Sequence, residues 1–200
     1  MGRIIVCRHG NTFDKGDVVT RVGGRTDLPL SSSGRAQAEA LAKHFAGMRF
    51  VAAYCSSLRR TRETAEAILG ADLESPALDV LPFLTEIDYG PDENVPEEAV
   101  VARIGEDALK AWEEDSIVPD GWRVDKEAIR AGWRALLVQA AARPETDNIL
   151  VVTSNGIARF LPDVVDAAPV GLQPKLKTGA WGEVECNGGS RIVAWNRRPD

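Results

Sequence analysis

Three polar turns and one acidic loop hold the residues of this chain with the most chemistry to offer. "CRHGNT" places Arg8 and His9 directly after the short apolar run "RIIVC" (3–7). "CSSLRRTRETAEAI" places Ser56 to Arg60 at the end of a second run, "FVAAYCS" (50–56). "VTSNGIAR" places Ser154, Asn155 and Gly156 at the end of a third, "NILVVTS" (148–154). The loop "TEIDYGPDEN" adds Glu86, Asp88, Asp92 and Glu93. Guanidinium groups bind phosphoryl oxygens through paired, charge-assisted hydrogen bonds. A neutral imidazole can attack phosphorus and carry the group covalently. A helix opening near Gly156 would aim backbone N–H groups at the same anion. Glu86 could protonate a leaving oxygen and then activate water, with Asp88 and Glu93 as the alternatives.

These groups can cooperate only if the chain brings them to one edge. The apolar runs at 3–7, 50–56 and 148–154 read as buried strands. "ALDVLPFL" is a weaker strand that runs into the acidic loop. "DLPLSSSGRAQAEALAKHFAG" reads as a helix with Ser31 as N-cap, an apolar stripe of Gly34, Ala38, Leu41 and Phe45, and Gly47 closing it. A second helix follows from about Arg60 to Leu69, with Thr61, Ala65 and Ile68 inward. Helical stretches near 96–114 and 125–142 come next, the latter with a stripe of Ile129, Trp133, Leu136 and Ala140. "AWGEVEC" and "RIVAWN", around Asn-Gly-Gly, form a closing hairpin. Strands alternating with helices predict an α/β/α sandwich, its sheet mostly parallel with at least one antiparallel strand. Ligands of such sheets bind beyond the carboxyl ends of strands, where the three polar turns fall.

Composition narrows the function classes. The 200 residues, with no repeat, low-complexity segment or linker, suit a single domain over 1–200. A net charge of −6 argues against nucleic acid or an anionic membrane as partner. No apolar run approaches a membrane span, and "MGRIIVC" lacks a signal peptide's apolar stretch, so a cytoplasmic protein is expected. Cys7, Cys55 and Cys186 read as separate buried thiols in a reducing compartment. Two histidines and no CxxC leave little for a transition metal, and no cofactor is implied. "RVGGR" lacks the ending of a nucleotide-binding P-loop.

The chain resembles the phosphoglycerate-mutase-like branch of the histidine phosphatase superfamily. "RHGNT" is similar to its nucleophile motif, and "GRTDLPLSSSGRAQAEALA" to the segment that follows it. "CSSLRRTRETAEAI" resembles the stretch with the second arginine, which falls on Arg60 rather than Arg59 or Arg62. "LTEIDYGPDEN" resembles the loop with the acid, which falls on Glu86. The resemblance implies a phosphohistidine at His9, phosphate clamping by Arg8 and Arg60, and proton transfer by Glu86. Thr12, Ser154 and Asn155 are read as further phosphate contacts, although Ser154 could instead simply hydrogen-bond the strand end. The chain also departs from the pattern. The family's second histidine falls on Ser154, and Asn155 stands where glycine is usual. Lys15 replaces a phosphate-contacting asparagine, and the G-E-S signature has no clear counterpart. His44, inside a helix, cannot stand in for the missing histidine.

The expected function is therefore slow, metal-independent hydrolysis of a small phosphorylated substrate. A degenerate member that binds a phosphate ester without turnover is the alternative, and a phosphoglycerate-mutase-type phosphotransferase is the third. Several features also have plainer readings. Lys175 and Lys177 suit a solvated loop, although they could reach a substrate anion, and the tryptophans at 112, 122 and 133 suit packing.

Overall fold

The computed structural model describes residues 2–70 and 74–199. Six strands form one sheet: β1 (Arg3–Arg8), β2 (Phe50–Cys55), β3 (Leu78–Val80), β4 (Asn148–Thr153), β5 (Trp181–Cys186) and β6 (Ser190–Arg197). Their order across the sheet is β3-β2-β4-β1-β5-β6. β1, β2, β3 and β4 pair in parallel, and β5 runs antiparallel to both β1 and β6. The architecture is the α/β sandwich expected, with one reversed strand contributed by the closing hairpin.

Period-two alternation makes the central strands two-faced. Ile5, Cys7, Leu150 and Val152 pack on one side with Leu41 of helix α1 (Ser32–His44) and Ala65 and Ile68 of α2 (Arg59–Leu69). Ile4, Val6, Ile149 and Val151 pack on the other side with Trp133, Leu136 and Ala140 of α5 (Lys126–Ala141). Both faces are buried, which is why these strands read as unbroken apolar runs. Cys7, Cys55 and Cys186 are all buried, unbonded thiols.

The expected N-cap is in place, with Ser31 Oγ accepting from Gly34 N–H. Asp14 adds to it by accepting from the N–H groups of Ser32 and Ser33. Gly34 matters for a second reason. A Cβ there would strike the Asn11 backbone, and one at Gly10 would strike the Gly34 backbone. The loop after β1 thus lies directly on the first turn of α1, which only two glycines allow.

The stretch near 96–114 departs from expectation. It is two helices, α3 (Glu97–Ile104) and α4 (Glu106–Asp115), because Gly105 between them takes φ of 83°. The weak strand is likewise short, since Pro82 opens a turn of 3-10 helix over 82–84. Trp112, Trp122 and Trp133 are buried in the core, as their plainer reading held.

Candidate active site

Strand register brings the polar turns together. Arg8 at the end of β1 lies opposite Thr153 at the end of β4, and Val152 lies opposite Cys55 at the end of β2. The next residue on β1 is His9, whose backbone N–H donates to Thr153 O at 3.1 Å. Its ring is oriented by two contacts. Nδ1 lies 2.7 Å from Gly10 O. A carbonyl can only accept, so Nδ1 carries the proton and Nε2 keeps its lone pair. Arg60 Nε points at Nε2 from 3.3 Å, and a guanidinium can only donate, which requires the same tautomer. Burial, then the positive charges of Arg60 and Arg8, hold the imidazole pKa well below its ordinary value. His9 is therefore a neutral base with its lone pair beside a guanidinium.

Arg60 enters from the first turn of α2 and is almost fully buried. Nη1 donates to Thr26 O at 2.8 Å and Nη2 to Gly23 O at 3.1 Å, so the fork is anchored before any ligand arrives. Its neighbour Arg59 instead pairs with Glu63 at the surface. Arg8 Nη1 donates to Leu176 O at 2.9 Å, while Arg8 Nε is buried with no hydrogen-bond partner. Burial lowers the pKa of both arginines from the ordinary value, yet arginine remains a cation across the working range. One buried and one half-buried guanidinium group, neither forked to a carboxylate, suit an anion.

Of the three acids weighed in the loop, only Glu86 faces the cleft. Asp88 pairs with Arg25 and Arg123. Glu93 accepts from Gly23, Arg25 and Tyr89 N–H groups and from Thr26 Oγ1. Glu86 is buried, its Oε1 accepting from Ile87 N–H at 3.0 Å and its Oε2 from Gly156 N–H at 3.4 Å. Burial raises its pKa from the ordinary carboxyl value, opposed by Ile87 N–H, Arg60, Arg8 and Gly156 N–H. Thr153 Oγ1 donates to Leu84 O at 2.7 Å, fastening this loop to the end of β4.

The turn after β4 corrects the sequence reading. Ser154 does not line the cleft; it is fully buried, and its Oγ has no hydrogen-bond partner. A serine side chain is too short to reach out from this strand end. The cleft-lining residue is Asn155, which opens the four-residue helix α6 (Asn155–Ala158). Its Oδ1 accepts from Leu176 N–H at 2.8 Å, which leaves the amide Nδ2 as a donor. Leu176 thus holds Asn155 through its N–H and Arg8 through its carbonyl. Three of the four N–H groups of α6 are also not free for an anion as expected, because Gly156 N–H serves Glu86 and Ile157 and Ala158 bond back to Ser154 O. Thr12 lines the cleft, whereas Lys15 is exposed and outside it. Among the described residues, no three His, Cys, Asp or Glu side chains gather as metal donors, and no helix is long and apolar enough to cross a membrane.

Arg8, His9, Thr12, Arg60, Glu86 and Asn155 line one cleft of about 530 Å³. Sequence reasoning missed the outer wall, which includes Arg21, Glu97 of α3 and Trp112 and Glu113 of α4. Lys175, weighed as a loop residue, also lines it. No spacing signal ties residues so far apart in the chain, and only the fold shows that α3 and α4 overhang the sheet edge.

Comparison with known proteins points the same way. Residues 4–198 match the family described as Histidine phosphatase superfamily (branch 1). The chain is 35% identical over 97 residues to fructose-2,6-bisphosphatase TIGAR B of Danio rerio, a match covering 48% of this chain and 37% of that protein. It is 30% identical over 165 residues to the probable phosphoglycerate mutase GpmB of Enterobacter sp. (strain 638), covering 79% of this chain and 71% of that protein. Its fold is similar to the crystal structure of a phosphoglycerate mutase from Bacillus anthracis str. Sterne, with a TM-score of 0.81 at 20% identity, over 98% of this chain and 92% of that one.

Proposed function

Since the chain belongs to branch 1 of the histidine phosphatase superfamily, we propose that it is a phosphomonoester hydrolase working through a phosphohistidine at His9. The observation that carries the reading is the doubly determined tautomer of His9: Nδ1–H held by Gly10 O, and Nε2 unprotonated beside Arg60. In the first step Nε2 attacks phosphorus, the P–O bond to the alcohol breaks, and Glu86 gives its proton to the departing oxygen. Arg8 and Arg60 hold the phosphoryl oxygens, and Asn155 Nδ2 and the Thr12 hydroxyl supply neutral donors. In the second step water attacks phosphorus, Glu86 takes the water proton, and the P–N bond breaks to release phosphate. The raised pKa of Glu86 suits the first half, in which it must arrive protonated. No step calls on a metal.

The reaction is slow in this reading. Phosphoryl transfer depends on positioned charge around the phosphoryl oxygens. The chain has Ser154 where relatives with a second histidine could place an imidazolium, and Asn155 offers a donor without charge. The same feature favours a second reading, a phosphate-ester-binding protein with little turnover.

One experiment separates the two. Protein incubated with an activated aryl phosphate and quenched in alkali, where phosphohistidine survives, should carry phosphate on His9. Turnover should be unchanged by chelators and absent in His9→Ala. Phosphate release equal in wild type and His9→Ala would overturn the hydrolase reading. Binding of phosphate without any phosphoenzyme would support the second.

A further inference from the structure

Beyond Arg8 and Arg60 the cleft presents two more cations, and each already faces a carboxylate. The Arg21 guanidinium lies over the rings of Tyr89 and Trp122, at 5.4 Å and 5.2 Å, and pairs through Nη2 with Glu97. Lys175 Nζ lies 2.9 Å from Glu113 Oε2. Arg21, Glu97, Glu113 and Lys175 all line the same cleft as His9. The cations come from the loop before α1 and the loop before β5, whereas both carboxylates come from α3 and α4.

The charges of the cleft then divide cleanly. A phosphate ester dianion matches Arg8 and Arg60. Glu86 is neutral when it acts as an acid. What faces the alcohol is two cations matched by two carboxylates, together with the apolar side chains of Phe13, Val19 and Trp112. Among the described residues that line the cleft, a second anionic group on the alcohol would find no unmatched cation, and it would have to displace Glu97 or Glu113 or sit beside them; Arg198, which donates to Thr178 O, lies outside that lining. An uncharged alcohol meets no such penalty. We infer that Glu97 and Glu113 are specificity determinants that direct this site to phosphomonoesters of uncharged alcohols and against those carrying a carboxylate or a second phosphate. The inference rests on the hydrolase reading of the same site. It sets this chain apart from the substrates in its relatives' names, fructose 2,6-bisphosphate and phosphoglycerate, each of which bears a second anionic group. Specificity of this kind comes from charges arranged against the wrong ligand as much as from contacts to the right one.

The test uses a matched pair, glycerol 3-phosphate and 3-phosphoglycerate, which differ by a hydroxymethyl group in place of a carboxylate. Wild type should favour glycerol 3-phosphate by about tenfold or more in kcat/KM, the scale of one unfavourable charge contact. Glu113→Gln and Glu97→Gln each free a cation and should shift the ratio several-fold toward 3-phosphoglycerate. Lys175→Ala leaves the Glu113 carboxylate unmatched and should shift the ratio further against 3-phosphoglycerate. Calorimetric binding of both esters to His9→Ala measures the same preference without turnover, so a catalytically silent protein still decides the matter. A wild-type preference for 3-phosphoglycerate, or a ratio unmoved by both glutamine changes, overturns the inference. Neither result touches the hydrolase reading, which stands or falls on the phosphoenzyme at His9.

Discussion

Replacing Glu86 by glutamine removes the proposed proton donor of the cleft while keeping its shape. Both carboxylate oxygens of Glu86 face backbone donors, Ile87 N–H at 3.0 Å and Gly156 N–H at 3.4 Å. Glutamine can satisfy only one, and its oxygen should stay with the shorter bond to Ile87. The amide NH2 then confronts Gly156 N–H. Leaving a buried donor unsatisfied costs about 1–3 kcal/mol, but the variant no longer buries an ionisable group, so net destabilisation should be small. The kinetic effect should be large and selective. General acid catalysis contributes about 10²–10⁴ in rate, so hydrolysis of an alkyl phosphate should fall by that factor. An activated aryl ester leaves with little protonation, and its rate of phosphoenzyme formation should fall far less. The pH profile supplies a second reading. Burial raises the Glu86 pKa above the ordinary 4.5, so its acid form is lost as pH rises through the raised value. The alkyl-ester rate should decline there in wild type, and that limb should vanish in Glu86→Gln. At low pH His9 should stay nucleophilic well below 6.5, because burial and two arginines depress its pKa. Stability follows the same signs. The Glu86 contribution is full below the unfolded carboxyl pKa and disappears as pH rises through the folded one; the His9 contribution is full above 6.5 and disappears as pH falls through its depressed value. The assay is single-turnover phosphoenzyme formation from both ester classes between mildly acidic and neutral pH, with melting temperatures alongside. Equal slowing of both classes would refute the assignment of the acid to Glu86.

Three further predictions follow from neighbouring geometry. Arg60→Lys should lower phosphoryl transfer by about 10²–10³, the loss typical of one well-placed donor, because an ammonium cannot serve His9, Thr26 O, Gly23 O and a phosphate together; an activity within twofold of wild type would contradict this. Gly34→Ala should cost about 1–3 kcal/mol by forcing a methyl group against the Asn11 backbone, visible as a lower melting temperature accompanied by lost activity. Ser154→His combined with Asn155→Gly should raise turnover of an aryl phosphate if charge at this strand end limits the rate; a well-folded double variant no faster than wild type would show that it does not.

The central geometry was legible because it follows from short-range rules. Buried runs end in polar turns, parallel strands align those ends, and Arg8, His9 and Arg60 meet there. The acid was only half legible. Glu86, Asp88 and Glu93 are equivalent as sequence, and they separate only when the partners of the latter two, Arg25 and the backbone around Gly23, are in place. Of the outer wall only Lys175 could be weighed from sequence, as a loop residue able to reach a substrate anion. Glu97, Glu113 and Lys175 lie on elements whose helical or loop character could be read, but whose position over the sheet edge depends on packing that no local pattern encodes. The break at Gly105, which separates the helices bearing the two carboxylates, is one backbone angle inside a stretch that reads as helix.

The turn after β4 places its side chains differently from what the motif resemblance implies. The family resemblance puts Ser154 at the position of a second histidine, beside the nucleophile. The structure points elsewhere. Ser154 is buried with its hydroxyl unpartnered, and Asn155 lines the cleft. Asn155 is oriented by Leu176, the residue whose carbonyl also receives Arg8. A donor that is neutral at every pH thus shares its support with one of the two cations proposed to bind phosphate. Gly156 N–H, which could have faced the anion, is committed to Glu86. The positive charge near the reacting group is therefore concentrated in Arg8 and Arg60, and the groups whose protonation the proposed reaction depends on are His9 and Glu86. That arrangement accounts both for the slow reaction proposed and for a pH dependence with just two limbs.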